Sequence, residues 1–164
     1  MENLNFNFDY QIPELSEEKI LEYCNKAKSS VRKRIPLVMH KPGDDFNQVF
    51  NFVCKDSYMR PHLHPKKEMI EKMHLIKGSF RLFFFNDDSS ILKFYDISSK
   101  GQKVQVPSNT WHTYIITSDI SVIFETMVGK YDPLTWKKMA DWAPDENHQD
   151  SNFYLKQLKD FKNN

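Results

Sequence analysis

The chain has 164 residues, which is enough for one barrel or sandwich with its own core and too few for two ordinary domains. Its 23 basic and 22 acidic residues nearly cancel, so the charge balance indicates neither a nucleic-acid partner nor a membrane surface. No apolar run approaches the roughly 20 residues that a helix needs to cross a bilayer.

A helical lead-in is predicted first. Ser16 offers an N-cap, Glu17 and Glu18 follow in the first turn, and apolar residues then recur at near-helical spacing. This pattern predicts a helix over residues 17–30. The first residues lack the basic stretch and apolar core of a secretory signal, and only two cysteines are present, Cys24 and Cys54. Reduced thiols are favoured over a disulfide, and we expect a cytoplasmic protein.

From Gln48 onward, short apolar runs alternate with turn residues. Eight strands are predicted, over residues 49–54, 58–64, 71–76, 80–85, 91–97, 103–106, 110–117 and 122–128. Short strands with a turn every eight to twelve residues predict an all-β, antiparallel double-sheet jelly roll.

The end of the chain is polar with apolar residues at intervals. Phe153, Leu155, Leu158 and Phe161 predict a short helix that either caps the barrel or covers a partner subunit, with a frayed terminus as the alternative. The predicted organisation is one domain: a helical lead-in over residues 1–45, a barrel over 46–147 and a tail over 148–164.

Two histidines, His62 and His64, stand two apart after Pro61. If this segment is extended, both imidazole rings point to the same face. Proline fits a strand end better than a helix, which supports that geometry. By itself the pair is equally compatible with two packing or surface histidines.

The residues that follow this pair continue the pattern. Glu71 is followed by six residues and Gly78, and Gly101 is followed by five residues and then Pro107, with His112 five residues further on. The two stretches resemble the two motifs of the cupin superfamily. This resemblance implies a cupin double-stranded β-helix that holds one divalent transition-metal ion, either iron, manganese, zinc or nickel. The implied ligands are His62, His64, Glu71 and His112.

Two departures from the cupin motifs bear on the ligands. The usual spacer between the second histidine and the glutamate would select Glu68 as the fourth ligand. Glu71, in contrast, keeps the six residues that the motif has between the glutamate and the glycine, here Gly78. We favour Glu71 because strand pairing fixes the distance from the ligand to the turn, whereas the loop before the strand can vary in length. Asn109 stands where the motif has a glycine with positive φ, a conformation that asparagine tolerates better than most residues.

A closer resemblance covers residues 27–146 and extends beyond the two motifs. The chain is similar to the WbuC family of cupin-fold metalloproteins, whose relatives are associated with bacterial gene clusters for O-antigen and other surface polysaccharides. The chain departs from that family in a more charged stretch over residues 68–74 and in an added tail. The similar segments are R-P-H-L-H at 60–64, V-P-S-N-T-W-H-T at 106–113, F-E at 124–125, G-K-Y-D-P at 129–133 and W-A-P-D-E at 142–146.

Four further residues are candidates for the site. Glu125 lies in an apolar strand, where an unpaired carboxylate is costly, so it is either a general acid or base or the partner of Arg60 or Arg81 in an ion pair. Tyr114 shares the inward face of His112 and is either a proton donor or a packing residue. Arg60 and Arg81 are the candidate substrate-binding cations, with a position at the barrel rim as the alternative for Arg60.

These features lead to three hypotheses about function. The favoured one is a metal-dependent isomerase or epimerase of a sugar or sugar nucleotide in surface-polysaccharide synthesis, with Glu125 or Tyr114 moving the proton. The alternatives are an iron-dependent dioxygenase at the same site and a non-catalytic module that binds a small molecule through the metal. A homodimer is expected from the apolar faces of residues 80–85.

Overall fold

Residues 11–162, which the computed structural model describes, form two helices and ten strands. The elements are α1 (Glu17–Ser29), β1 (Arg34–Val38), β2 (Phe46–Cys54), β3 (His62–Leu63), β4 (Glu71–Lys77), β5 (Phe80–Phe85), β6 (Ile91–Ile97), β7 (Lys103–Val106), β8 (His112–Ile116), β9 (Ile120–Val128), β10 (Lys138–Met139) and α2 (Ser151–Asp160). The predicted all-β fold with a helix near each end is confirmed. None of the helices in this part of the chain is long and apolar enough to cross a membrane.

The strands form two five-stranded antiparallel sheets. The first sheet has the order β1-β2-β9-β4-β7, and the second has the order β10-β3-β8-β5-β6. Apart from the β1–β2 and β5–β6 connections, which stay within one sheet, every connection between successive strands crosses to the other sheet. The strands on either side of each crossing connection therefore lie in opposite sheets, as a jelly roll requires.

Apolar side chains fill the space between the sheets. Leu75 and Ile123 from the first sheet pack with Leu82, Phe84 and other buried residues of the second. These residues follow the two-residue alternation that places every second side chain of a strand inside. This core occupies the closed end of the barrel and leaves the polar residues described below at the open end.

Each helix covers the outer face of one sheet. Cys24 and Ala27 of α1 pack on Phe50, Phe52 and Phe124 of the first sheet. Ser16 caps this helix as predicted, since its Oγ accepts a hydrogen bond from Lys19 N at 3.1 Å. Both cysteines are free and buried, in agreement with the expected reduced thiols.

Helix α2 covers the second sheet. Leu155 and Leu158 pack on Phe83, Phe85 and Ile115. The apolar outer face of β5, which suggested a dimer, is thus covered by the chain's own C-terminal helix, and a homodimer stays a prediction.

Two strands were not predicted from the sequence. β1 lies inside the expected lead-in, of which residues 1–10 are outside the described part of the chain. It contains Pro36, which an edge strand tolerates because a proline lacks only an outward-facing N–H. β10 has two residues and pairs with β3, and a strand of that length produces no alternation to detect.

The segment over residues 142–146 fastens the C-terminal part of the chain to the barrel. Tyr58 OH donates to Pro144 O at 2.9 Å, and Trp142 packs on Phe85 with ring centroids 5.1 Å apart. Glu146 accepts a hydrogen bond from Arg34 Nη2 at 2.6 Å. The W-A-P-D-E motif is therefore structural in this chain.

The turn between β4 and β5 requires glycine. Gly78 has a φ of 85°, and a Cβ there would collide with Ile120 O and with the hydroxyls of Ser118 and Ser121. We expect the Gly78→Ala variant to lower the free energy of unfolding by about 2–4 kcal/mol, because positive φ and overpacking both contribute. Gly101 is a matched control, since it has the same φ and a Cβ added there would meet no atom within 4 Å. Urea unfolding should show a smaller loss for Gly101→Ala, and equal losses would contradict the steric explanation.

The Arg34–Glu146 ion pair predicts a pH dependence of stability. Burial raises the pKa of Glu146, but Arg34 and Arg32 outweigh burial and keep this pKa below its usual range. A depressed carboxylate pKa contributes stability above the unfolded-state value and loses it as the pH falls through the folded-state value. We expect Glu146→Gln to lower the free energy of unfolding by about 1–3 kcal/mol at neutral pH.

The same variant should lose less stability than the wild type between about pH 6 and pH 3. Denaturant titrations of both proteins at each pH measure this difference. If the free energy of unfolding fell equally with pH in both proteins, Glu146 would have the same pKa in the folded and unfolded chains, and the prediction would be wrong.

Candidate metal centre

Three histidines from the second sheet converge at the open end of the barrel. His62 of β3 lies directly opposite His112 of β8, and His64 follows two residues later. All three are buried, and one ring nitrogen of each lies within 4.8 Å of the others. The three residues therefore can hold one metal ion.

Backbone carbonyls orient all three rings. The Nδ1 atoms of His62, His64 and His112 lie 3.0, 2.8 and 2.9 Å from the carbonyl oxygens of Arg60, Trp136 and Thr110. A neutral imidazole that donates from Nδ1 presents a lone pair at Nε2. Histidines of metal sites are held in this way.

Burial favours the neutral, ligating form of His62. Burial, together with the neighbouring His112 and Lys137, lowers the pKa of His62 well below its ordinary value. His64 Nε2 is buried and has no hydrogen-bond partner among the described residues. A buried nitrogen acceptor without a hydrogen-bond partner destabilises the folded state unless a cation binds it.

The fourth group, Glu71, comes from the first sheet. Its Oε2 lies 3.1 Å from His112 Nε2 and 3.7 Å from His64 Nε2. Burial raises the pKa of Glu71, but the contacts with His112 and His64 outweigh burial and hold it well below its usual range. A proton can link this carboxylate to only one ring, whereas a cation at the centre satisfies all four groups. Three imidazoles and one carboxylate suit a transition metal.

The structure brings the four expected ligands together and distinguishes the two glutamates. Glu71 begins β4 with its side chain directed inward, on the same face as Met73 and Leu75, whereas Glu68 is exposed. Asn109 has the positive φ, 54°, that the motif's glycine position requires. Its N–H donates to His64 O at 2.7 Å, so this turn is fastened to the histidine strand.

A second carboxyl group lies beside Glu71. Glu125 stands opposite Met73 on β9, one diagonal step from Glu71, and Tyr114 OH donates to its Oε1 at 3.0 Å. Burial raises the pKa of Glu125 well above its usual range, and the charge of Glu71 raises it further. The pKa values of these two adjacent carboxyl groups are therefore shifted in opposite directions, with that of Glu71 lowered and that of Glu125 raised.

Tyr114 is the hydrogen-bond partner of Glu125 that the structure shows, and the alternative of an ion pair with Arg60 or Arg81 is not observed among the described residues. Burial and the neighbouring Glu125 raise the pKa of the Tyr114 hydroxyl well above its ordinary value. The hydroxyl therefore keeps its proton and donates it to the carboxyl oxygen.

The two expected substrate-binding arginines lie outside the site. Arg60 Nε donates to Ala140 O at 2.9 Å, and its Nη1 lies 3.4 Å from Asp145. The inward alternation expected over residues 58–64 does not reach Arg60, because the strand begins only at His62.

Arg81 alternates with the inward-facing Leu82 and so lies on the outer face of β5. It forms a two-pronged ion pair with Asp96, at 2.7 and 2.9 Å, and donates to Phe161 O near α2. It therefore fastens the C-terminal helix and does not face the histidines.

Two adjoining cavities open at the centre. The inner one, of about 210 Å³, is lined by the four ligating residues, by Tyr114 and Glu125, and by residues from β1 and β2. The outer one, of about 410 Å³, leads from it past Tyr131 and Trp136. Asn51, Trp136 and Lys137 line both cavities.

These three cavity residues were missed in the sequence. Trp136 and Lys137 precede the two-residue strand β10, and Asn51 interrupts an apolar strand without any motif around it. Trp136 and Lys137 could be recognised only from the pairing of β10 with β3, which is visible in the fold and not in the sequence.

Solved structures share this fold. Protein SO0799 from Shewanella oneidensis matches with a TM-score of 0.57 and 6% identity over 77% of this chain and 85% of its own. An oxalate decarboxylase from Lactobacillus farciminis, in a formate complex, matches with a TM-score of 0.50 and 13% identity. The latter match covers 63% of this chain and 30% of that chain. At such identities the likeness shows the fold alone, which is the cupin jelly roll.

Comparison by sequence adds the family. No curated protein matches the chain. A family model described as a domain of unknown function, DUF6016, matches residues 15–97, from the start of the lead-in through β6 and including three of the four ligands. With half of its length covered by that model, the chain belongs to the DUF6016 family.

Proposed function

We propose that the protein is a metal-dependent acid–base enzyme that isomerises or epimerises a small sugar or sugar derivative. The observation that carries this proposal is the position of Glu125, which lines the cavity beside Glu71, accepts a hydrogen bond from Tyr114 OH and has a pKa raised well above its usual range. A protonated carboxyl group beside an ionised one, at the edge of a cavity, is how proteins hold a general acid ready at neutral pH. A role in packing alone would be served better by an apolar side chain.

The residues have separate tasks in such a reaction. His62, His64, Glu71 and His112 hold the ion, which when bound polarises a carbonyl or hydroxyl group of the substrate. Glu125 gives its proton to a substrate oxygen and, as the carboxylate, takes one from a neighbouring carbon, which gives an enediol. The reverse transfers, with the proton returned to the other carbon or to the other face of the same carbon, complete the isomerisation or epimerisation. Tyr114 holds the Glu125 carboxyl in position by its hydrogen bond. One proton leaves the substrate and one returns, so the reaction needs no redox partner.

The biological process in which this enzyme would act is inferred from sequence resemblance. Similarity to the WbuC family supports a role in the synthesis of O-antigen or another bacterial surface polysaccharide, in the cytoplasm. The outer cavity, at about 410 Å³, has the size of a small-molecule site.

Metal binding is tested by stoichiometry. We expect the purified protein to bind one divalent transition-metal ion per chain, and His62→Ala and His112→Ala to weaken binding at least about 100-fold, since each removes a ligand. His148→Ala is the control, because His148 is about half exposed and pairs with Asp150 in the C-terminal segment. Elemental analysis and calorimetric titration measure both quantities. An ion retained in full by His112→Ala would exclude this centre.

The acid–base role is tested with Glu125→Gln. This variant keeps the shape of the side chain and removes the titrating group, so we expect unchanged metal content and a turnover number lower by about 10²- to 10⁴-fold. Turnover and exchange of substrate carbon-bound hydrogen with D₂O, followed by NMR over a panel of sugars and sugar nucleotides, are the readouts.

Tyr114→Phe should retain more activity than Glu125→Gln, since it removes only the positioning hydrogen bond. Tight binding without exchange would favour a binding module. Oxygen consumption with iron bound would favour a dioxygenase, and either result would overturn the isomerase proposal.

A further inference from the structure

The junction of the two cavities carries a cation that has no partner among the described residues. We propose that Lys137, assisted by Asn51, binds a carboxylate group of the substrate, so that the molecule processed at the metal centre is a sugar acid or a similar small hydroxy carboxylate. This inference deepens the proposed function and rests on it, because it assumes that the same molecule reaches the metal centre.

The fold directs Lys137 toward the histidines. β10 pairs with β3 so that Lys138 lies opposite Leu63 and Met139 opposite His62. The same antiparallel register, continued by one residue, sets Lys137 opposite His64, and opposite residues of paired strands share a face. Trp136, the residue before it, accepts the hydrogen bond from His64 Nδ1 at 2.8 Å. Lys137 therefore lies beside the ligand set and lines both cavities.

The two arginines that line the inner cavity, Arg32 and Arg34, already have carboxylate, carbonyl or hydroxyl partners. Arg34 donates to Ser57 Oγ at 3.0 Å, to Tyr58 O at 2.9 Å and to Glu146 at 2.6 Å. Arg32 forms an ion pair with the same glutamate at 3.0 Å. Both guanidinium groups are thereby committed to the structural contacts of the C-terminal segment.

Lys137, in contrast, makes no hydrogen bond or salt bridge with any residue between 11 and 162. It reaches solvent through the cavity, while the protein around its ammonium lowers its pKa. Glu71 and Glu125 act on it at longer range and in the opposite direction. An ammonium group in this position has free donors for a ligand.

The charge of the site favours an anion. Lys137 and, in the loaded protein, a divalent ion together carry more positive charge than Glu71 and Glu125 carry negative charge, even if both carboxyl groups are ionised. The cavity is then positive overall, and an anionic ligand is attracted to it.

The available donors suit a carboxylate better than a phosphate. Asn51 lines both cavities, and its side chain has no partner within the described chain. One ammonium and one amide can each donate to one carboxylate oxygen. Phosphate sites instead use several donors from arginine forks or backbone nests, and the arginines here are occupied. Trp136 and Tyr131, with ring centroids 5.3 Å apart, provide an apolar wall for the carbon skeleton.

Binding of defined probes to the metal-loaded protein tests this inference. Calorimetric titration with glucuronate, glucose and glucose phosphate should show tightest binding for glucuronate. Lys137→Met removes the charge but keeps the length of the side chain, and we expect it to weaken glucuronate binding about 10- to 100-fold and leave glucose binding unchanged. Lys137→Arg should restore part of the preference.

Lys138→Met is the matched control, since Lys138 lines neither cavity and its ammonium lies over the Trp111 ring at 5.7 Å. It should retain the preference for glucuronate. Thermal unfolding and metal content of each variant separate a folding defect from a binding defect.

The two proposals fail in different ways. Absence of a bound ion, or of hydrogen exchange in any probe, counts against the proposed enzyme. If the Lys137→Met variant binds metal normally and binds glucuronate as tightly as the wild type does, Lys137 does not bind the substrate carboxylate. This result would leave the proposed enzyme standing. Preferential binding of glucose phosphate that depends on Lys137 would also overturn the carboxylate inference, in favour of a phosphate ligand.

Discussion

The meeting of four lone-pair donors at one point between two sheets is the constraint on which the rest of this structure depends. The three imidazole nitrogens come from one sheet and the carboxylate from the other. Without a cation, a proton can link Glu71 to one ring only, and buried acceptors such as His64 Nε2 are left without a partner, which is unfavourable in a medium of low polarity. A bound ion turns the same convergence into a link between the sheets. Metal binding and stability of the barrel are therefore expected to be thermodynamically coupled.

The rest of the barrel serves to hold this convergence in place. The apolar core at the closed end keeps the sheets packed, and α1 and α2 cover the outer faces. Backbone carbonyls fix the tautomer of each histidine, so few side chains are needed around the ligands. The inner cavity is consequently free to hold groups with other tasks. Glu125 and Lys137 occupy it with opposite shifts of pKa relative to their usual values.

Sequence was informative where physics is local. Short apolar runs between turn residues identified eight strands, seven of them within three residues of their observed bounds, and the fixed distance from a candidate ligand to a turn favoured Glu71 over Glu68. Asn109 was recognised because few residues accept a positive φ. The sequence did not predict features that depend on which distant segments pair with each other. The inward face expected of Arg60 required a longer strand than the one that forms, and Lys137 could not be recognised because its position follows from the pairing of β10 with β3.

One contact joins two parts of the molecule that are usually treated separately. Trp136 forms a wall of the entrance through its side chain and fixes His64 through its carbonyl oxygen. A molecule that displaces this segment therefore also disturbs the hydrogen bond that sets the direction of a candidate metal ligand. The width of the entrance and the orientation of the histidine cluster are thus linked through one residue, and a substitution that enlarges the entrance at Trp136 also alters the position of His64.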